Sequence, residues 1–328
     1  ASVLDHTLTG IRHLSGDLGA HGLVLAHEGD WNDSLNWMGR AGRGESVWTS
    51  MALYHSCRVM AEMAKDLLER PLLEREMNER AESIAAAIQA HGWDGEWYLA
   101  GWSDFGNPVG SRTNREGRVY LNTQTWAVLT GLATGERKEL CLRAVDGILE
   151  SRHGSLTLWP SYTAADENVG RVTMLLPGMY ENGTPYCHGT AFKIVADIAA
   201  GRPEQALRSW KKVMPDSAEH PSRVSGCEPY AFTNQYLGPA NGRSGDSISG
   251  WITGTAGWMF RSVVEYFCGF QPHYHGFTIS PCLPAEWPSV KLHRAFRGKT
   301  YDIAIEGVHP HYKVAVNGQA YAVGETIC

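Results

Sequence analysis

Clustered basic residues, long apolar runs and paired cysteines are all missing from this sequence, and each absence removes a class of protein. Lys and Arg total 29 against 35 Asp and Glu, for a formal net charge of −6. A nucleic-acid surface needs a clustered excess of Lys and Arg; Lys211 and Lys212 form no more than a local pair. A membrane-crossing helix needs roughly 18 or more apolar residues in a row, and no such run exists. Residues 1–20 lack the basic-then-apolar layout of a signal peptide. The seven Cys are scattered and odd in number, and no Cys-x-x-Cys pair occurs. That disfavours a zinc ribbon or a disulfide framework and points to a reducing, cytoplasmic setting. There is no Walker loop, no dinucleotide-binding glycine fingerprint and no nucleophile elbow around Ser46. No organic cofactor is called for. His273 and His275 lack a third ligand at sensible spacing, so no metal site is expected.

What is present is ordinary globular composition, with 43% hydrophobic and 20% charged residues, plus an unusual 12 Trp. Tryptophan serves plain cores, but its flat face also stacks on pyranose rings. Apolar residues recur at helical spacing from Glu45 to Leu68 (Val47, Met51, Tyr54, Val59, Met60, Met63, Leu67). Residues 72–90 are rich in the helix formers Leu, Glu, Arg and Ala. Further helices are predicted over 4–14, 121–132, 138–150, 189–199, 204–213 and 254–268, separated by long glycine-rich loops at 91–119, 154–187 and 214–253. Loops of such length in a compact domain usually build a site. Near Gly269 the texture changes to alternating, β-branched segments with turn signals such as Asn317-Gly318. The reading is a helical domain over 1–269 and a small antiparallel β module over 270–328.

Four clusters offer chemistry. In Gly29-Asp30-Trp31-Asn32-Asp33 two carboxylates flank a stacking Trp, which suits a sugar site with one general acid; an Asp/Asn turn capping a helix is the plainer alternative. Glu181-Asn182-Gly183 precedes Cys187-His188-Gly189-Thr190 at a predicted helix start, where free N–H groups and a His attract anions; a capping or core His188 is the alternative. Thr253-Gly254-Thr255 combines hydroxyls with a glycine that lets backbone approach a ligand, or simply packs tightly. Glu228 and Tyr230, followed by Asn234 and Gln235, form a polar loop that sugar hydroxyls could also use.

These pieces together resemble glycoside hydrolase family 94, the cellobiose and chitobiose phosphorylases. The matching segments are HGLVLAHEGDWND (21–33), GRGESVW (42–48), LNTQTWAVLTG (121–131), ENGTPYCHGTAF (181–192), CEPY (227–230), SISGWITGTAGWMFR (247–261) and GFTISPCLPAEW (276–287), in the family's order. The resemblance implies a mainly α fold: part of an (α/α)6 barrel lacking its N-terminal helices, then a C-terminal antiparallel β module. It implies Asp33 as general acid, with Trp31, Asp30, Glu181, Glu228, Tyr230 and Gln235 on the sugar. His188, Thr253 and Gly254 fall on phosphate-binding positions. The resemblance places the family's phosphate-binding Arg upstream of this chain, so an N-terminal portion of the same enzyme is an expected partner, and it implies a homodimer.

The implied reaction is inverting phosphorolysis of a β-linked disaccharide or short oligosaccharide to an α-sugar 1-phosphate, with inorganic phosphate as co-substrate. Phosphate is itself nucleophilic at neutral pH, so one acid suffices. An inverting hydrolase on the same barrel is the alternative; it needs a second carboxylate roughly 6.5–9.5 Å from the first, for which Glu181 and Glu228 are candidates. A non-catalytic carbohydrate-binding or assembly fragment is the third reading. Either burial or nearby negative charge, bound phosphate included, is expected to keep the Asp33 carboxyl protonated.

Overall fold

A computed structural model describes residues 2–328. Its helices are α1 (Val3–Gly16), α2 (Val47–Asp66), α3 (Pro71–His91), α4 (Leu121–Leu129), α5 (Gly135–Ala144), α6 (Cys187–Ala199), α7 (Pro203–Val213), α8 (Ser222–Ser225) and α9 (Thr255–Arg261). Helices α5 and α9 each run on into a wider π-type turn, over Val145–Leu149 and Ser262–Phe267. Local chemistry fixes the ends. Ser2 and Asp5 exchange hydrogen bonds in a capping box on α1, Ser46 caps α2, and Pro71 opens α3 where its missing N–H costs nothing.

The helices pack as pairs around an arc. Helix α2 packs on α3 and α4, α4 on α5 and α6, and α6 on α7 and α9. Helix α6 is the middle of the arc, with every residue from Gly189 to Ile198 buried. That explains its near-continuous apolar run, Ala191-Phe192 and Ile194 to Ala196, which shows no polar face.

The long loops predicted from sequence contain short strands. Strands β1 (Val24–Leu25), β2 (Glu45–Ser46), β3 (Gly101–Trp102) and β4 (Pro108–Val109) form one small antiparallel sheet. Strand β5 (Val119–Tyr120) pairs with β8 (Leu158–Trp159), and β6 (Glu150–Ser151) with β7 (Gly154–Ser155). Strands β9 (Thr233–Tyr236) and β10 (Ser247–Gly250) make a hairpin leading into α9.

Beyond the π-type turn that follows α9, the regular elements are all strands. Strands β11 (Phe270–His273) and β12 (Gly276–Ile279) pair, and β13 (Ser289–Phe296), β14 (Lys299–Val308), β15 (His311–Val316) and β16 (Gln319–Tyr321) form an antiparallel meander. The inward residues Tyr301, Ile303, Ile305, Val314 and Val316 share one apolar core with Cys187, Ala191, Ile194 and Leu207 of α6 and α7. The change of texture at 270 is therefore a change of secondary structure within a continuous core. A second core joins α1, α2 and α3, and a smaller one underlies the Asp30–Asp33 loop.

Candidate active site

The site is assembled at the N-terminal ends of α2, α4, α6 and α9. The Asp30–Asp33 loop lies across these ends and is held from below. Asp30 accepts the Asn32 N–H at 2.8 Å and the Ser46 hydroxyl at 2.7 Å, so an Asx turn and the α2 cap share one carboxylate. Asn32 is buried, and its side-chain oxygen takes the Ser34 N–H at 3.1 Å. The Ser34 hydroxyl donates to Glu181 Oε2 at 2.8 Å, which ties the first motif to the second across 147 residues. Gly170 passes so close beneath that a Cβ there would sit 2.5 Å from the Ser34 carbonyl, at a φ of +139°. Only glycine meets both conditions.

The buried carboxylate and the exposed one are not the pair that sequence reasoning expected. Asp33 is exposed, whereas Asp30 is half-buried, its carboxylate turned onto the Asn32 N–H and the Ser46 hydroxyl. Burial pushes the Asp30 carboxyl up to about 6 against its hydrogen bonds to Ser46 and Asn32, with the nearby Asp33 charge adding to the rise. Of the two routes expected to keep Asp33 protonated, burial is absent: the residue is exposed between buried Asn32 and Ser34.

Trp31 stands over the start of α6. Its ring lies 5.3 Å from Tyr186, 5.4 Å from His188 and 5.6 Å from Phe192. The Tyr186 phenol is pushed up by burial and further by the carboxylates of Glu181 and Asp33, which places both acids within electrostatic reach of one ring. Asn182 of the Glu-Asn-Gly segment turns inward, donating to the Tyr162 and Leu175 carbonyls and accepting the Tyr162 N–H; it is a fully buried scaffold residue.

His188 and the Thr253-Gly254 turn meet although 65 residues of chain (188 to 253) separate them. A Cβ on Gly254 would lie 2.8 Å from His188 Cε1. Burial lowers the His188 imidazole to about 4, so it is neutral, and its Nε2 is buried without a hydrogen-bond partner among the described residues. A neutral ring keeps one N–H to donate. Thr253 Oγ1 accepts the Thr255 N–H at 3.1 Å and contacts the Thr255 hydroxyl at 2.6 Å. An idle imidazole nitrogen, a helix start and two hydroxyls on one side, with a Trp and a carboxylic acid on the other, are groups suited to an oxyanion beside a sugar.

The remaining expected contacts spread outward. Tyr230 is exposed and meets Trp251 edge-on at 5.7 Å on the rim, and Glu228 lies beside Gly250. Gln235 is buried and receives the Thr184 hydroxyl at 3.4 Å, so it serves the hairpin's interior. Its neighbour Asn234, on the opposite face of β9, donates to the Tyr186 hydroxyl at 2.9 Å. Sequence reasoning missed Ser34, Ser46 and Tyr186, whose roles are contacts between distant motifs. It also passed over Trp48 and Asn122, which line a cavity of about 20 Å³ with Asp30, Trp31, Tyr120 and Thr157.

The chain is 55% identical over 93% of its length to a solabiose phosphorylase of Paenibacillus borealis, covering 40% of that protein. It is 37% identical over 98% of its length to a 3-O-beta-D-glucopyranosyl-beta-D-glucuronide phosphorylase of the same organism, covering 42% of it. The chain thus spans about 40% of the length of these curated relatives. Among solved structures, a glycosidase variant superposes with a TM-score of 0.50 at 15% identity, over 74% of this chain and 55% of that one. Residues 1–269 match the glycosyl hydrolase 94 superfamily, catalytic domain, and the chain belongs to that family.

Proposed function

We propose that the protein carrying this chain catalyses reversible, inverting phosphorolysis of a β-linked disaccharide or short oligosaccharide. The observation that carries this reading is the buried, unpartnered His188 nitrogen packed against the Gly254 turn, next to Trp31 and within one loop of Asp33. The family membership and the phosphorylase names of its relatives support it.

In this mechanism Asp33 gives its proton to the glycosidic oxygen as the bond from that oxygen to the anomeric carbon breaks. A phosphate oxygen, held by His188, Thr253 and the start of α6, forms the new bond to the anomeric carbon from the opposite face. The products are an α-sugar 1-phosphate and the shortened sugar. Exposure of Asp33 lets it reach a leaving oxygen. Neutral His188 binds phosphate by hydrogen bonding, and the helix start contributes N–H donors.

The four inner helices α2, α4, α6 and α9 follow one another as four members of a six-pair (α/α)6 barrel, with the remaining pairs and a phosphate-binding Arg supplied by further polypeptide of the same enzyme. Residues 1–269 then form the catalytic portion and 270–328 a β module, in a homodimer. Seven free thiols, six of them buried, suit a reducing cytoplasm. The test is turnover of β-linked disaccharides with and without inorganic phosphate, with the anomer identified by NMR. Strict phosphate dependence and an α-sugar 1-phosphate are expected; phosphate-independent release of free sugar from both halves would replace this reading with the hydrolase.

A further inference from the structure

The four inner helices begin in the same way, and that register assigns two residues no motif singled out. Each has a fully buried first residue: Val47, Leu121, Cys187 and Thr255, all at 0% exposure. The residue before each one borders the site. Ser46 binds Asp30, Tyr120 lines the small cavity, Tyr186 faces Trp31, and Gly254 abuts His188. The second residue of each helix is therefore turned toward the same space, and these are Trp48, Asn122, His188 and Ala256.

Three of these four carry polar groups with nothing to do. The Trp48 indole Nε1 and His188 Nε2 are buried with no hydrogen-bond partner, and the Asn122 amide makes no side-chain hydrogen bond among the described residues. Two residues further along α4 the contrast is plain. Gln124 is fully buried and its amide is used completely, by the Tyr98 N–H and by the Tyr98 and Tyr120 carbonyls. An unmade hydrogen bond on a buried donor costs free energy, so Trp48 Nε1 and His188 Nε2, at the same register position, are open to a ligand that completes them, with the half-buried Asn122 amide between. Asn122 also sits where sugar and phosphate would meet: a Cβ on Gly189 would lie 3.5 Å from Asn122 Oδ1 and 3.9 Å from the Trp31 ring.

We propose that Asn122 and Trp48 are donor-sugar residues, the Asn122 amide pairing with adjacent ring hydroxyls and the Trp48 N–H donating to a further hydroxyl. The proposal rests on the phosphorylase reading, since it takes His188 as the phosphate side of the same ring. An amide offers an acceptor and donors in one plane, which matches two vicinal hydroxyls. The indole offers one donor and an apolar wall. Asp30, lining the same cavity, supplies an acceptor.

The test uses calorimetry on the active enzyme containing this chain, with three probes: inorganic phosphate, α-glucose 1-phosphate and α-N-acetylglucosamine 1-phosphate. Asn122→Ala and Trp48→Phe are compared with the parent, the second keeping the ring while removing the donor. The tighter sugar 1-phosphate should weaken about fivefold to thirtyfold in each variant, as expected for one or two lost net hydrogen bonds. Inorganic phosphate should stay within about twofold, and unfolding midpoints should match the parent. If the parent binds a sugar 1-phosphate and both variants bind it equally well, the assignment of Asn122 and Trp48 is overturned while the phosphorylase reading stands. Equal weakening toward phosphate and sugar phosphate would also overturn it, because that marks damage to the shared framework. A parent that binds neither phosphate nor sugar phosphate removes the reading and the assignment together.

Discussion

Helix α6 carries two basic side chains less than two turns apart, in opposite states of satisfaction. At its start, His188 is neutral and its inner nitrogen has no partner among the described residues. Further along, Lys193 is more deeply buried, yet its ammonium bonds Asp197 at 2.7 Å and the Ser209 hydroxyl at 3.1 Å, with Asp146 at 3.4 Å and Glu150 at 3.8 Å. Arg202 adds ion pairs to Asp146 and Asp197, and Lys212 one to Glu150. This network fastens α6 to α7 and to the end of α5. Within one helix, the Lys193 ammonium is surrounded by carboxylates and a hydroxyl, while the His188 nitrogen has no partner among the described residues.

That contrast breaks most easily at the frame. Removing Lys193 leaves Asp197, which has no exposed side-chain surface, with only the longer Arg202 contact at 3.4 Å. Lys193→Ala should cost about 3–5 kcal/mol of stability, the usual consequence of orphaning one partner of a buried pair. Chemical denaturation measures it, and a loss below about 1 kcal/mol would mean the network is dispensable.

At the ligand end the effect should appear in rate and not in stability. Asp33→Asn is expected to slow phosphorolysis of an unactivated disaccharide by about a hundredfold or more, with an unchanged unfolding midpoint, because an exposed side chain supports no core. Substrates with good leaving groups should suffer less. If Asp33→Asn turns over normally while Asp30→Asn is dead, the acid is Asp30.

Smaller effects follow from pH. His188 and His153, both pushed down to about 4 by burial, stay neutral in the fold while an unfolded imidazole gains its proton near 6.5. Their contribution is complete above about 6.5 and is lost as pH falls toward 4. Asp30 works in the opposite direction: raised to about 6, it keeps its proton in the fold while an unfolded Asp has ionised, so stability falls as pH climbs from about 4 to 6. Two imidazoles outweigh one carboxyl, so the denaturation midpoint should drop from pH 7 to pH 4.5. His188→Gln should flatten that drop and Asp30→Asn should steepen it; parallel curves for all three proteins would contradict these assignments.

The helices were legible in the sequence because packed helices repeat their apolar residues at a fixed spacing; 45–68 and 72–90 became α2 and α3 with ends moved by a residue or two. The strands β13 to β16 were legible from alternation and from the Asn317-Gly318 turn, where both residues adopt positive φ. Two-residue strands such as β5 and β8 were not, since they have no period and exist only through a partner some 40 residues away. The motif residues Trp31, Asp33, Glu181, His188 and Gly254 do gather, as their chemistry suggested. Which carboxylate is buried, and that Gln235 faces inward while Asn234 faces Tyr186, depend on tertiary packing that no local pattern encodes. Trp48 and Asn122 escaped for a related reason: the second position of a helix acquires meaning only when four helix starts are superimposed.

The claim that the unsatisfied end of α6 is a phosphate seat is tested most directly by steady-state kinetics in inorganic phosphate for His188→Ala beside the parent. Loss of a donor to a charged ligand should raise the phosphate KM about tenfold or more while the disaccharide KM stays within about twofold. An unchanged phosphate KM, or an equal rise in both, would contradict the account.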